Sequence, residues 1–221
     1  MKHLLVILVL FLSACNSFKN LNDAEQNKIV SELDYISKID QKFAGIPPED
    51  LVKNFGHEKA WQIFKAKRDS VGFDNQKRIK KLFSKYGYLG FKEVGRENSN
   101  NFWIPIQHAD NDVEFQKKML KALKKQVDLK NASRSNYAML EDRIANNTNK
   151  KQRFGSQVTY NEDGQAIPKN GLVDSINIEK LRSDYDLDSF KDYYNRMTTN
   201  HYNMNKEFFL KKGIKEPKLY N

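Results

Sequence analysis

FWIPIQHADNDVEFQ, residues 102–116, is the stretch on which the fold turns. Its first half is an apolar run, Phe102 to Ile106, interrupted by Pro105. A run this short fits a strand or a buried helix, and the residue ahead of a proline is pushed away from helical angles, so both readings stand. The second half is firmer. Asp112 occupies an N-cap position, and Phe115, Met119, Leu123 and Val127 then recur every four residues, the stripe of one helix face. Between the halves lie Gln107, His108 and Asp110. One of the chain's four histidines therefore ends an apolar run, a setting in which an imidazole can move protons near neutral pH.

Helical periodicity extends outward on both sides. Upstream, Asn22 with Glu25 forms a capping box, and Ile29, Leu33, Ile36 and Phe43 give a helix over about 22–43. Gly45-Ile46-Pro47-Pro48 breaks it, and Glu49 and Asp50 open a second helix carrying Leu51, Phe55, Trp61 and Phe64. Gly72 is expected to end that helix and Asp74 to cap a third, with Ile79, Leu82, Phe83 and Tyr86 on its inner face. Three glycines between Gly87 and Gly95 read as a loop. Downstream, a helix over about 133–147 has Tyr137, Leu140 and Ile144 on one side. Phe154 to Tyr160, the turn Asn161-Glu162-Asp163-Gly164, and Gln165 to Pro168 read as a short hairpin. Helical pattern resumes at 178–183 and from Asp188. The pattern predicts a mainly α protein, a single helical domain over 21–200 with a small β-hairpin insertion. A basic tail over 201–221 is expected to fray.

The first fourteen residues read as a signal peptide, with Lys2 ahead of nine apolar residues from Leu4 to Leu12. Such a run is too short to span a bilayer as a stable helix. Leu12-Ser13-Ala14-Cys15 resembles the bacterial lipobox, which implies cleavage before Cys15 and lipidation of that residue, with 15–20 as a tether. It is the only cysteine, so no disulfide forms within the chain. Acyl chains then hold the protein on a membrane. Asn16 in place of aspartate points to the outer membrane in a Gram-negative cell, and the localisation expected is the cell envelope.

The chain has 38 basic against 28 acidic side chains, a formal charge of +10. That balance suits an acidic membrane surface or an anionic envelope polymer. Its lysines are spread over polar helix faces without an aromatic platform, which reads as a solvated face, and no nucleic acid partner is expected. Phosphate loops, paired-cysteine zinc sites, His-Glu-x-x-His helices and nucleophile elbows are absent from the sequence, so no cofactor and no metal are expected.

Three phrases carry the remaining polar chemistry: Gln107-His108-Ala109-Asp110, Ala138-x-Leu140-x-Asp142-Arg143, and Gln152-x-x-Gly155-Ser156-Gln157. In this order and spacing they resemble an uncharacterised bacterial helical family, a domain of unknown function. That family's third phrase has threonine where Ser156 stands. The resemblance runs over roughly 36–194 and implies a helical fold and a set of residues to watch, with no activity attached.

Two classes of function follow. In the first, a polar cleft around His108 binds an anionic envelope ligand or a protein partner, with Gln107, Asp110, Gln152 and Gln157 contacting it. In the second, a hydrolase or transferase uses His108 as general base. Asp142 or Asp110 orients the imidazole, and Arg143 offers a planar fork to a carboxylate or phosphate. Structural roles stand beside both. Asp142 and Arg143 point roughly 100° apart on a helix and need separate partners. Asp142 lies opposite the Tyr137, Leu140 and Ile144 stripe, on a solvent face or where a neighbouring backbone comes close. Asp74, Asp110 and Asp112 also read as helix caps, and Gln152 and Gln157 as hairpin amides bonding backbone.

Overall fold

In the computed structural model, residues 21–221 are described. The expected signal peptide, Cys15 and its tether lie outside the described residues. Nine helices and one two-stranded sheet make up that part, and the protein is mainly helical with a small antiparallel hairpin.

α1 (Asp23–Lys42) starts at Asn22, whose side chain accepts from Glu25 N at 2.9 Å. It lies along α4 (Phe91–Gln107). α2 (Glu49–Phe55) is a short arm that buries no residue, separated by Gly56 from α3 (His57–Tyr86). α5 (Val113–Asp128) and α6 (Arg134–Asn147) pack as a pair against α4, capped by Asp112 and Ser133 respectively. The core joins Ile29, Leu33 and Ile36 to Ile79, Phe102 and Ile106, and these to Phe115, Met119, Leu123 and Leu140. This cluster removes the apolar faces of five helices from water at roughly 25 cal/mol per Å².

The Phe102–Ile106 run is helical. Phe102, Trp103, Pro105, Ile106 and Gln107 are all buried, and enclosure on several sides overrides the strand preference that Pro105 imposes locally. Two other expectations are corrected. Gly72 does not end a helix: α3 continues through it for fourteen more residues to Tyr86, and Asp74 pairs with Arg78 one turn on, at 2.7 Å, instead of capping. The 87–95 segment is a loop only to Gly90, because α4 begins at Phe91 and merely breaks at Gly95.

β1 (Val158–Tyr160) and β2 (Ala166–Pro168) pair antiparallel with Thr159 opposite Ile167. In their turn the Asn161 carboxamide oxygen accepts from Asp163 N and Gln165 N, an Asx turn. α7 (Ile178–Asp184), α8 (Phe190–Met204) and α9 (Lys206–Lys211) complete the chain. The tail after α9 is docked. Tyr220 N donates to Asn195 Oδ1 at 2.7 Å, and its hydroxyl to Ala166 O at 2.7 Å. Among the described residues no helix is long and apolar enough to cross a membrane.

Candidate functional site

His108 is the C-cap of α4, and its imidazole is 46 % exposed. Its Nδ1 lies 3.3 Å from Asp40 Oδ1. Asp40 belongs to the last turns of α1 and is only 9 % exposed. A buried carboxylate on one ring nitrogen fixes the ring's orientation and selects the tautomer with the proton on Nδ1. Nε2 is then left as an acceptor, the state a general base needs.

The pair sits in a cleft of about 610 Å³. Asp40, Phe43 and Ala44 of α1 and its C-terminal loop form one wall, and Arg68, Asp69, Gly72 and Phe73 of α3 the next. His108, Asp110 and Asn111 from the α4–α5 connection, with Arg143 of α6, close the third side. A cleft of about 700 Å³ lies between the ends of α5 and α7 and the start of α6. Most of its charges are paired, Lys124 to Asp128 and Arg134 to Asp186, both at 2.6 Å, and no histidine lines it, so a group that can move protons near neutral pH sits in the His108 cleft instead.

Asp110 and Arg143 are brought together. The guanidinium donates from Nε at 2.8 Å and from Nη2 at 2.5 Å to the two carboxylate oxygens, and from Nη1 to Gln157 Oε1 at 3.1 Å. Asn147 adds a 2.7 Å bond to Asp110. Partial burial raises the Asp110 carboxyl, but the bonds from Arg143 and Asn147 outweigh it and hold the group below the usual carboxylate range. Asp110 therefore does not cap a helix. The Arg143 fork, expected to receive a ligand, is spent within the protein.

Asp142 does not reach His108. It is fully buried on the face of α6 opposite Leu140 and Ile144, and there the backbone of the 153–156 turn comes close. Its Oδ1 accepts from Arg153 N at 2.8 Å and Phe154 N at 3.0 Å, and its Oδ2 from Ser156 N at 2.8 Å. Burial pushes this carboxyl above its ordinary value and the three amides oppose that. Gln152 bonds only backbone through its side chain, donating to Gln157 O and Lys169 O and accepting from Gln157 N, at 2.6–2.7 Å. Gln107 turns inward, its Nε2 3.4 Å from Met139 O and its Oε1 buried without a partner among the described residues. Gln107, Gln152 and Gln157 do not line the cleft.

Asp40 and Arg68 escaped the sequence reading, and Gly72 was read only as a helix stop. Asp40 carried a usable signal: it continues the Ile29, Leu33, Ile36 stripe one turn on, and a carboxylate on an inner face needs a partner. Among the described residues no group of three or more His, Cys, Asp or Glu is placed to hold a metal ion.

A helical domain with a hairpin insertion and a His-Asp pair at the mouth of a polar cleft is the class that fold and site define. Residues 50–206 match a family described as a family of unknown function, DUF6624, and the chain belongs to that family. All three polar phrases fall inside the matched span. No curated protein and no solved structure matches the chain.

Proposed function

We propose that this is an exported protein, anchored in the cell envelope through lipid on Cys15, that binds a polar or anionic ligand in the His108 cleft. In a Gram-negative cell, Asn16 in place of aspartate after Cys15 supports sorting to the outer membrane. The lipobox-like Leu12–Cys15 supports the anchoring. The binding reading rests on one observation: a half-exposed imidazole, held by a buried carboxylate, at the wall of a cleft of about 610 Å³. That size lies within the roughly 300–1,000 Å³ of small-molecule sites. Asp110 and Arg143 serve as a rigid wall, while Asp142 and Gln152 fix the turn behind it.

A thermal-shift screen of small polar and anionic compounds on the wild type and on His108→Ala tests this. Compounds that raise the wild-type Tm and lose their effect in the variant are expected, because a ligand stabilises the state it binds. A screen in which every stabilising compound acts equally on His108→Ala would reject the cleft as the site.

A second reading has its own observation. Asp40 on Nδ1 gives His108 the arrangement of a general base, so a hydrolase or transferase acting on an envelope molecule is the alternative. Turnover of 4-nitrophenyl acetate, abolished in His108→Ala and reduced in Asp40→Asn, is the expected result for that activity. Equal turnover by wild type and His108→Ala removes it.

A further inference from the structure

Arg68 stands apart from every other arginine of this chain. The remaining seven have a carboxylate, a carbonyl or an aromatic ring against them: Arg78 has Asp74 and Glu32, Arg134 has Asp186, Arg143 has Asp110 and Arg196 has Asp188. Arg153 lies by Glu141 and over Phe154, Arg182 bonds carbonyls, and Arg96 covers the Phe91 ring. Arg68 has no such partner among the described residues, although it is only half-exposed and lines the cleft. The acids around it are engaged elsewhere: Asp69 with Lys65 at 2.7 Å, Asp110 with Arg143, Asp40 with His108. The one uncommitted charge in this cleft is therefore a planar cation, the group suited to a carboxylate or phosphate.

Gly72 lies one helical turn from Arg68 on the same face of α3 and also lines the cleft. A glycine inside a helix costs about 1 kcal/mol relative to alanine. Nothing in the fold requires it, since a Cβ there would meet no atom within 4 Å. Gly72 lines the cleft together with Phe73, which is 51 % exposed, and His108. A bare backbone strip beside an exposed ring lets the flat face of a ligand lie close to the helix.

We infer that the cleft accepts an acidic sugar, its carboxylate or phosphate held by Arg68 and its apolar ring face laid over Gly72 against Phe73, with His108 and Asn111 meeting its hydroxyls. This rests on reading the cleft as a binding site. It adds the class of ligand and the two α3 residues that select it.

The test is calorimetric titration of the full chain with galacturonate and with glucose 1-phosphate, using galactose and glucose as neutral controls. At least one acidic sugar should bind while its neutral counterpart does not. Arg68→Gln should weaken that binding by about tenfold or more, the loss of a charge-assisted contact, and Lys67→Gln, which removes an exposed charge next door, should leave it unchanged. Gly72→Ala should raise the Tm and yet weaken binding, a combination that damage to the fold does not produce. Equal binding of acidic and neutral sugars, equal effects of Arg68→Gln and Lys67→Gln, or wild-type binding by Gly72→Ala would each overturn the inference. If both acidic sugars fail while another compound binds in a His108-dependent way, the inference falls and the binding cleft stands. If no compound binds in that way, both fall.

Discussion

Asp142 and Arg182 hold the 153–156 turn from opposite sides, one through its amides and the other through its carbonyls. Arg182 is 2 % exposed and donates from Nη1 to Phe154 O at 2.7 Å and to Gly155 O at 3.1 Å, while Tyr194 adds a 3.0 Å bond to Gly155 O. The Gly155–Ser156 peptide bridges the two charges, its N–H donating to Asp142 and its C=O accepting from Arg182, and neighbouring peptides of the turn supply the remaining bonds, which is how each tolerates burial. Replacing Asp142 by Asn puts an NH2 donor against amide donors. Asp142→Asn is expected to cost about 3 kcal/mol, read by denaturant unfolding, and a loss below about 1 kcal/mol would show that the carboxylate is not the clamp. Asp110 allows a test by pH. Its native carboxyl titrates below its unfolded value of about 3.9, so the unfolded chain takes up the proton first. The stability it contributes is complete above that value and is lost as pH falls through the native one. Wild-type Tm should thus drop more steeply than that of Asp110→Asn below about pH 4, and parallel curves would count against the shift. The separate partners of Asp142 and Arg143 were legible in the sequence, since adjacent helical residues diverge. That Asp40, 68 residues before His108, supplies its carboxylate depends on where α1 crosses α4, a tertiary fact that no local pattern encodes.

Glycine placement separates the readable elements from the unreadable ones. Gly72 reads as a helix stop and Gly95 as part of a glycine-rich loop, yet both lie inside helices, and they do opposite things. α3 runs straight through Gly72, while Gly95 takes φ 79° and ψ 169° and breaks α4 after its first turn. A glycine in the sequence marks a possible break at each place and cannot assign the dihedral. The same substitution should therefore change sign between them. Gly95→Ala forces a side chain into a region nearly reserved for glycine and should destabilise by roughly 1–3 kcal/mol. Gly72→Ala should stabilise by about 1 kcal/mol. Chemical denaturation of the two variants checks the pair, and a common sign would refute this account of α3 and α4. Pro105 shows the reverse limit. Its local preference left strand and helix open, and only burial against α1, α5 and α6 settles the run as helix. Caps were legible in part: Asn22 and Asp112 each accept from an amide three residues on, as expected, whereas Asp74 and Asp110 carry the same local signal and pair with arginines instead, and Ser133 caps α6 unannounced.

At the scale of the whole molecule, two cores share one chain. The aliphatic cluster of α1 and α3–α6 carries the cleft, and an aromatic cluster built on the hairpin, α8 and α9 stands behind the Asp142 turn. In the second, Phe190 stacks on Tyr194 with centroids 4.0 Å apart, and Tyr202 lies on Phe209 at 5.6 Å. The last residues close that cluster. The Tyr220 ring meets Phe190 and Tyr194 edge-on, Tyr202 donates to Lys215 O at 2.5 Å, and Lys218 pairs with Asp163 at the hairpin turn. A basic, polar tail suggests fraying on composition alone, since the partners that dock it lie at Asn195 and Ala166, far away in sequence. Removing residues 214–221 tests the docking. Phe190 and Tyr194 lose the edge contacts of Tyr220, Asn195 and Ala166 lose three hydrogen bonds with it, Tyr202 loses its acceptors, and each bond between neutral groups is worth about 1 kcal/mol. Amide exchange in α8 and β2 should then accelerate by at least about tenfold, the equivalent of about 1.4 kcal/mol in local opening. The amides of α4 and α5, which pack in the other cluster, should keep their protection, and with them the His108 cleft its ligand response. Unchanged exchange in α8 would show that the tail only rests on the surface. Acceleration spread evenly over α4, α5 and α8 would show that the two cores unfold as one, making the aromatic cluster part of what keeps the cleft in shape.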